Sequence, residues 1–261
     1  MKIGICVKVT ADTDARVKPS PDGKAFEFTG KIVVGPYDLF AVEEAIRVKE
    51  KHPGSEVVSF TVGGGDETVA QLRASVLALG ADKAVLVADP AIAAGDSLVI
   101  AHALAAAIRR EGCDLVLCGK QSIDDDNVQV PAMLAELLDW AQVSRVVELA
   151  IDNGSFRATR AMDGGVREVV GGSLPVVITA ERGLNTPRYA KLPAIMAAKK
   201  KEPERLDAAA LGLSADATKS HVAISGFTTP PERPKGRMIT GEPDTQVAEL
   251  VRLLRDEAKV L

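Results

Sequence analysis

A doubly wound α/β fold around a mostly parallel sheet is predicted for this 261-residue chain, and three observations predict it. Short apolar runs alternate with segments of helical period through the first 140 residues. That order argues for parallel strands covered by helices on both faces. After Trp140 the pattern changes to short strands joined by tight turns, which adds an antiparallel β portion. From Leu184 onward the chain is proline-studded and charged, including Lys199-Lys200-Lys201, and predicts an extended C-terminal arm.

Residues 2–9 are expected as a buried strand, and residues 10–35 carry turn signals at Pro19, Pro21-Asp22-Gly23 and Gly30 between pieces able to pair as a hairpin. From Tyr37 to about His52, Leu39, Val42, Ala45 and Ile46 recur at helical spacing, and Pro53-Gly54 stops the helix. Val57–Val62 is the next strand, followed by the loop Gly63-Gly64-Gly65. A helix over Asp66–Leu79 comes next, capped by Asp66 and stopped by Gly80. Strand Ala84–Val87, helix Asp96–Arg110, strand Asp114–Cys118 and helix Pro131–Trp140 complete the alternation. Val143–Ile151, Ser155–Arg160 and Val166–Val170 read as strands joined by Asn153-Gly154 and Asp163-Gly164-Gly165. Pro175–Ala180 is a further strand, and a short helix over Asp244–Lys259 ends the chain. The expected division is a nucleotide-binding domain over residues 1–200 and an arm over residues 201–261.

A formal charge of -4 and 3% aromatic residues argue against a nucleic-acid binder, which normally carries a basic excess or stacking platforms. Hydrophobic content of 46% suffices for an ordinary core. Cys6, Cys113 and Cys118 form no CxxC pair, so a reducing compartment without disulfides is expected. His52, His102 and His221 lack metal-ligand spacing and read as surface or core residues. No segment approaches the roughly 18 apolar residues needed to span a bilayer, and the N-terminus enters a strand directly, so a cytoplasmic protein is expected.

Four stretches could carry chemistry. Gly119-Lys120-Gln121-Ser122-Ile123-Asp124-Asp125-Asp126-Asn127-Val128-Gln129-Val130 runs from a buried strand to a helix, at the carboxyl edge of the sheet, where open α/β folds bind ligands. Free amides and the dipole at that helix start suit a phosphate. Asp124–Asp126 would repel it, so the anion is expected near Gln129, Val130 and Ala132, with the aspartates capping, holding a ribose or facing water. An acidic loop that merely caps a helix explains the same residues. Val62-Gly63-Gly64-Gly65-Asp66 allows close backbone approach but has neither Walker nor GxGxxG spacing. Gly35-Pro36-Tyr37-Asp38 is an ordinary helix start whose Tyr37 could touch a ligand. Leu184–Met196 displays Leu192 between Lys191 and Pro193 as a docking anchor, or packs Leu192 and Ile195 back on the domain. No Ser/His/Asp set, metal cluster or paired carboxylates emerge, which points to a carrier or regulator.

Together, Cys6-Val7-Lys8, Gly35–Asp38 with Ala41-Val42-Glu43-Glu44-Ala45, Gly119–Asp126 and Asn185-Thr186-Pro187-Arg188-Tyr189-Ala190-Lys191-Leu192-Pro193 resemble the beta subunits of electron transfer flavoproteins. The resemblance implies a Rossmann-like fold of the adenine-nucleotide-binding type, without catalytic residues of its own. It implies a heterodimer with a larger alpha subunit that binds FAD, and an AMP in this subunit. Electrons would arrive from acyl-CoA or related dehydrogenases, as in fatty acid beta-oxidation, and leave to a membrane quinone oxidoreductase. By position, Cys6, Gly35, Pro36, Tyr37, Asp38, Val62, Gly63 and Gly119–Val130 would line the nucleotide pocket, with Tyr37 also close to the flavin. Leu192 would anchor the dehydrogenase, with Arg188, Tyr189, Pro193 and Ile195 beside it.

The chain departs from the family pattern at Gly35, where an asparagine is usual, at Val128 and Val130, where polar residues are usual, and at Ala161, where an acid is frequent. Gln129-Val130-Pro131 and Asp96-Ser97 are similar to the bifurcating type, which holds a second FAD in place of AMP. Met162-Asp163-Gly164-Gly165 and Pro187-Arg188-Tyr189 resemble the AMP type. AMP is the expected ligand and the second FAD the alternative. Competing classes are an ATP-binding adenylate-forming enzyme, whose phosphate loop Gly63–Asp66 faintly resembles, and a homodimeric stress-type nucleotide sensor.

Overall fold

The chain's computed structural model describes residues 1–233 and 235–261. It opens with β1 (Lys2–Cys6), buried from Ile3 onward. Two small antiparallel ladders follow: β2 (Val9–Ala11) with β5 (Ile32–Val34), and β3 (Arg16–Pro19) with β4 (Phe26–Thr29). The expected strand over residues 2–9 is therefore divided after Cys6. Then come α1 (Pro36–Lys51), β6 (Glu56–Val62), α2 (Asp66–Ser75), β7 (Lys83–Val87), the short α3 (Pro90–Ala93), α4 (Ser97–Glu111) and β8 (Leu115–Gly119). The second half holds α5 (Val130–Leu138), β9 (Ala141–Asp152), β10 (Ser155–Ala161), β11 (Arg167–Ser173), β12 (Val176–Ala180), α6 (Leu192–Ala198), β13 (Glu204–Leu206) and α7 (Pro243–Arg252).

One nine-stranded sheet carries the order β11-β10-β9-β12-β8-β1-β6-β7-β13. Its ladders are parallel except those of β10 with β9 and β11. The predicted α/β sheet with an antiparallel extension is the observed one. The chain winds from β1 through β6 to β7, then returns to the other side of β1 to form β8. Winding therefore reverses between β1 and β8, which opens a crevice at their carboxyl ends. Strand side chains alternate between two cores. Ile3, Ile5, Leu115 and Leu117 face α1, while Val58, Phe60, Val116 and Cys118 face α4 and α5.

Local chemistry explains most boundaries. Pro36 occupies the first turn of α1, which buries Ala41, Val42, Ala45, Ile46 and Val48. Asp96 caps α4 by accepting from the amides of Leu98 and Val99, and Gly112 closes it in the left-handed conformation. Asn153 (φ 46°) and Gly154 (φ 77°) both take positive φ, as a type I′ hairpin demands.

The helix expected over Asp66–Leu79 is shorter. It ends at Ser75, and Leu77–Leu79 form a separate 3-10 turn. Burial overrides helical propagation here, since Val76 is wholly enclosed and leaves helical geometry at φ -131°. Asp66 does not cap it: Gly65 is the N-cap, and Asp66 lies in the first turn, where its charge complements the dipole. Beyond residue 200 the sheet continues, with β13 pairing in parallel with β7 and burying Leu206. Within the expected arm, residue 234 lies outside the described residues.

The crevice is narrow because α1 starts almost against the end of β8. A Cβ on Gly119 would fall 2.8 Å from the Asp38 amide nitrogen and 2.9 Å from the Tyr37 carbonyl carbon. Gly119→Ala is therefore expected to lower stability by about 1–3 kcal/mol, as overpacking does. A fall in the urea midpoint at unchanged slope would register it. An unaltered midpoint would mean that α1 shifts without cost.

Candidate functional site

A cleft of about 350 Å³ occupies the crevice on the α4–α5 side. Cys6 and Cys118, side by side in register, line it together with Phe60. Val62 and Gly63 form one wall, Ser97, Ile100 and Leu104 of α4 another, and Gln121, Ser122, Asp125 and residues 127–131 the lip. All three cysteines are buried and free, and burial pushes the Cys113 thiol up to about 12.

Asp38 anchors this end of the sheet. It is buried, and its carboxylate accepts from the Lys8 amide (2.8 Å) and the Gly119 amide (3.1 Å), tying the segment after β1 to the end of β8. It therefore does more than start a helix. No side chain caps α1, and Gly35 and Gly119 both leave room for this carboxylate.

The acidic loop is partly neutralised by a lysine from a distant part of the chain. Lys8 Nζ reaches Asp124 Oδ1 (2.8 Å), Asp125 Oδ2 (3.1 Å) and Ser122 Oγ (3.3 Å). Gln121 donates to Asp126 Oδ1 at 2.6 Å. Asp126 (φ 49°) and Val128 (φ 56°) adopt the left-handed region. A β-branched residue is costly there, so the loop's turn is imposed by its surroundings. The turn delivers the chain to α5, which has no acidic residue in its first turn and no side-chain cap. The amides of Val130 and Ala132 there are the donors that suit an anion. A flat apolar ring between Phe60, Val62, Ile100 and Leu104, with an anion at α5, is what this arrangement can hold. The donor set thus fits an anionic ligand with a flat apolar end.

The cleft brings together Cys6, Asp38, Val62, Gly63, Gly119, Gln121, Ser122, Asp125, Asn127, Val128, Gln129 and Val130 of the expected pocket residues. Gly35, Pro36, Tyr37, Lys120, Ile123, Asp124 and Asp126 lie outside its lining. Asp124 is engaged by Lys8 instead. Lys120, just past β8, turns toward the end of β12 to Glu181 (2.8 Å) and stands over the Tyr37 ring, 4.6 Å from its centroid. Sequence reasoning missed Phe60, Ala93, Ile100 and Leu104, which look like any core positions of a strand and helices. Lys8, charged at the end of a buried strand, was the one available signal for its own role.

Asp96 serves two segments. One oxygen caps α4, and the other accepts from the amides of His221 (2.5 Å) and Val222 (3.1 Å), fastening the arm beside the cleft. Farther away, Arg188 turns inward to Glu43 and Glu50, and Ile195 packs on the core beneath α6. These two expected docking residues are partly covered by those contacts. Tyr189 and Leu192 are displayed, at 97% and 71% exposure, as is Pro193. Among the described residues no His/Cys/Asp/Glu group is placed to hold a metal, and no helix is long and apolar enough to cross a membrane.

The family model described as electron transfer flavoprotein domain matches residues 26–211. The electron transfer flavoprotein subunit beta of Bacillus subtilis is 37% identical over 262 residues, covering all of both chains. The chain belongs to the electron transfer flavoprotein beta-subunit family. Its relatives include the subunit of Sus scrofa, 36% identical over 98% of this chain and 97% of that one. Another, from Oryza sativa subsp. japonica, is named as mitochondrial and is 37% identical over the whole of both chains. Membership makes the chain an electron-carrier component rather than an enzyme, and sets aside the adenylate-forming reading.

Burial pushes the Asp38 carboxyl up to about 7 from an ordinary 3.8, against the pull of the two amides and of Lys8. The folded state then holds a proton that the unfolded chain releases. The stabilisation is complete below about pH 4 and is lost as pH rises through about 7. Urea unfolding of the protein and its Asp38→Asn variant from pH 4 to 8 checks this. The advantage of the unaltered protein is expected to shrink as pH rises. An advantage that grows would reverse the assignment.

Proposed function

We propose that this chain is the small subunit of a heterodimeric electron transfer flavoprotein, with an AMP held structurally in the cleft between β1, β8 and α5. Its partner is a larger alpha subunit that binds FAD. Electrons come from acyl-CoA or related dehydrogenases, as in fatty acid beta-oxidation, and pass to a membrane quinone oxidoreductase. The observation that carries the nucleotide reading is a cleft whose apolar walls end at an acid-free helix start. Its volume of about 350 Å³ is near the small end of the roughly 300–1,000 Å³ common for ligand sites. That favours AMP over a second FAD, the alternative that Gln129-Val130-Pro131 and Asp96-Ser97 keep open.

FAD, held mainly by the partner, carries the electrons. This chain's residues bind and position. The amides of α5 receive the phosphate, and Lys8 offsets part of the repulsion that Asp124 and Asp125 would exert on it. Asp38 keeps the two strand ends in register around the ligand. Residues 201–261 supply a surface for the alpha subunit, since Val222, Ile224, Met238, Val247 and Leu250 are exposed and no residue of α7 is buried. Leu192, displayed at the start of α6, is the anchor for a dehydrogenase. The cytoplasm is the proposed location, supported by three free cysteines.

Two experiments test these readings. Denaturing the purified heterodimer and separating the released nucleotides is expected to yield one FAD and one AMP per complex. Two FADs would favour the alternative, and no nucleotide beyond the partner's FAD would end both. Leu192→Ala is expected to weaken dehydrogenase docking about tenfold to a hundredfold, from the roughly 1.5–3 kcal/mol of a buried leucine. Electron-transfer kinetics unchanged in an intact heterodimer would remove the anchor role.

A further inference from the structure

Two adjacent carboxylates on α1, Glu43 and Glu44, are buried, and both turn toward the segment that precedes α6. Glu43 is met by a complete fork. Arg188 Nε lies 2.8 Å from its Oε2 and a terminal guanidinium nitrogen 3.0 Å from its Oε1, while the Arg188 amide donates to Oε2 at 3.2 Å. The guanidinium also reaches both oxygens of Glu50, at 2.5 and 3.0 Å. One turn along α1, Arg47 closes the set on Glu43 at 2.7 Å. Asn185 adds a second fastening, donating to the Phe40 carbonyl and to Glu44 Oε2, each at 2.9 Å.

The pair is only half-buried, Glu43 being enclosed while the Arg188 side chain stays partly exposed. Such a pair adds little net stability, because screening and desolvation offset the attraction. What it supplies here is position. A fork matched to a carboxylate fixes the direction of the Arg188 side chain and, through the amide bond, of its backbone. Immediately beyond the clamp stand Tyr189, Leu192 and Met196, at 97%, 71% and 54% exposure. Leu192 and Met196 are one helical turn apart, so they share the outer face of α6. Ile195 and Ala198 hold its inner face on the core. Three large apolar side chains are thus displayed on a short element held by inner packing, by Asn185 and by this clamp.

We infer that Glu43 and Arg188 are a positioning pair that presents Tyr189, Leu192 and Met196 to the electron-donating dehydrogenase in one fixed arrangement. The inference rests on the docking role proposed for Leu192 and adds the groups that preorganise it. Prior ordering removes the cost of fixing the loop during the encounter, so the clamp contributes to affinity without touching the dehydrogenase. Glu43→Gln is nearly isosteric and leaves the displayed residues unchanged.

The test uses the purified heterodimer as electron acceptor for an acyl-CoA dehydrogenase and its acyl-CoA substrate. Glu43→Gln is expected to raise KM for the heterodimer about tenfold with kcat unchanged, a loss typical of preorganisation rather than of chemistry. Combined with Leu192→Ala, the two effects should multiply to less than their product, since one acts through the other. Trypsin cleavage after Lys191 in the free heterodimer should accelerate about tenfold or more as the clamp opens. Arg188→Lys, which keeps the charge and loses the fork, should follow the same pattern if Glu43→Gln folds poorly. Unchanged KM and cleavage in either variant, with Leu192→Ala still impaired, overturn this inference alone. Effects that multiply in full also overturn it, because they assign Glu43 a role independent of Leu192. A Leu192→Ala variant without effect removes the docking reading and this inference together.

Discussion

One buried carboxylate holds the functional end of the molecule together. Asp38 joins the segment after β1 to the end of β8, the two strands between which the winding of the sheet reverses. Such reversals leave a crevice because the connections diverge to opposite faces. The parallel ladder of β1 and β8 ends at Cys6 and Cys118, and a side chain from α1 holds the strand ends together beyond it. The bridge leaves no room for a Cβ at Gly35 or at its partner Gly119, and it needs a helix that begins without delay after β5, which Pro36 provides. Cleft, helix start and sheet register are consequences of the same few atoms.

Around that bridge, charge is arranged so that the lip can be acidic and still border an anion site. Lys8 follows the buried end of β1, and its position is fixed by the strand rather than by the loop it neutralises. The strained turn at Asp126 and Val128 then carries the chain past the aspartates, to amides that face no acid of their own helix. The order of residues places negative side chains before the turn and free donors after it.

The central α/β alternation was readable because parallel strands and amphipathic helices have different periods and glycine or proline marks their junctions. The hairpin at Asn153-Gly154 was readable because its turn type almost dictates those residues. β13 was not, since three residues are too few for any period to register. The end of α2 was missed for a related reason: Val76 fits the helical pattern, and only its enclosure explains the break. In the cleft, the loop from Gly119 to Val130 stood out by composition, whereas Ile100 and Leu104 were indistinguishable from core residues. The inward turn of Arg188 depends on acids some 140 positions earlier in the chain, a pairing that no local pattern announces.

The shared duty of Asp96 has a mechanical consequence. The wall of α4 and the irregular stretch at His221-Val222 hang from opposite oxygens of a single side chain. Peeling the tail outward would leave one of those oxygens bare at a positively polarised helix end, free to swing away from Leu98 and Val99. The tail is therefore a rivet as well as a strap, and tension applied far along it is delivered to the rim of the cavity.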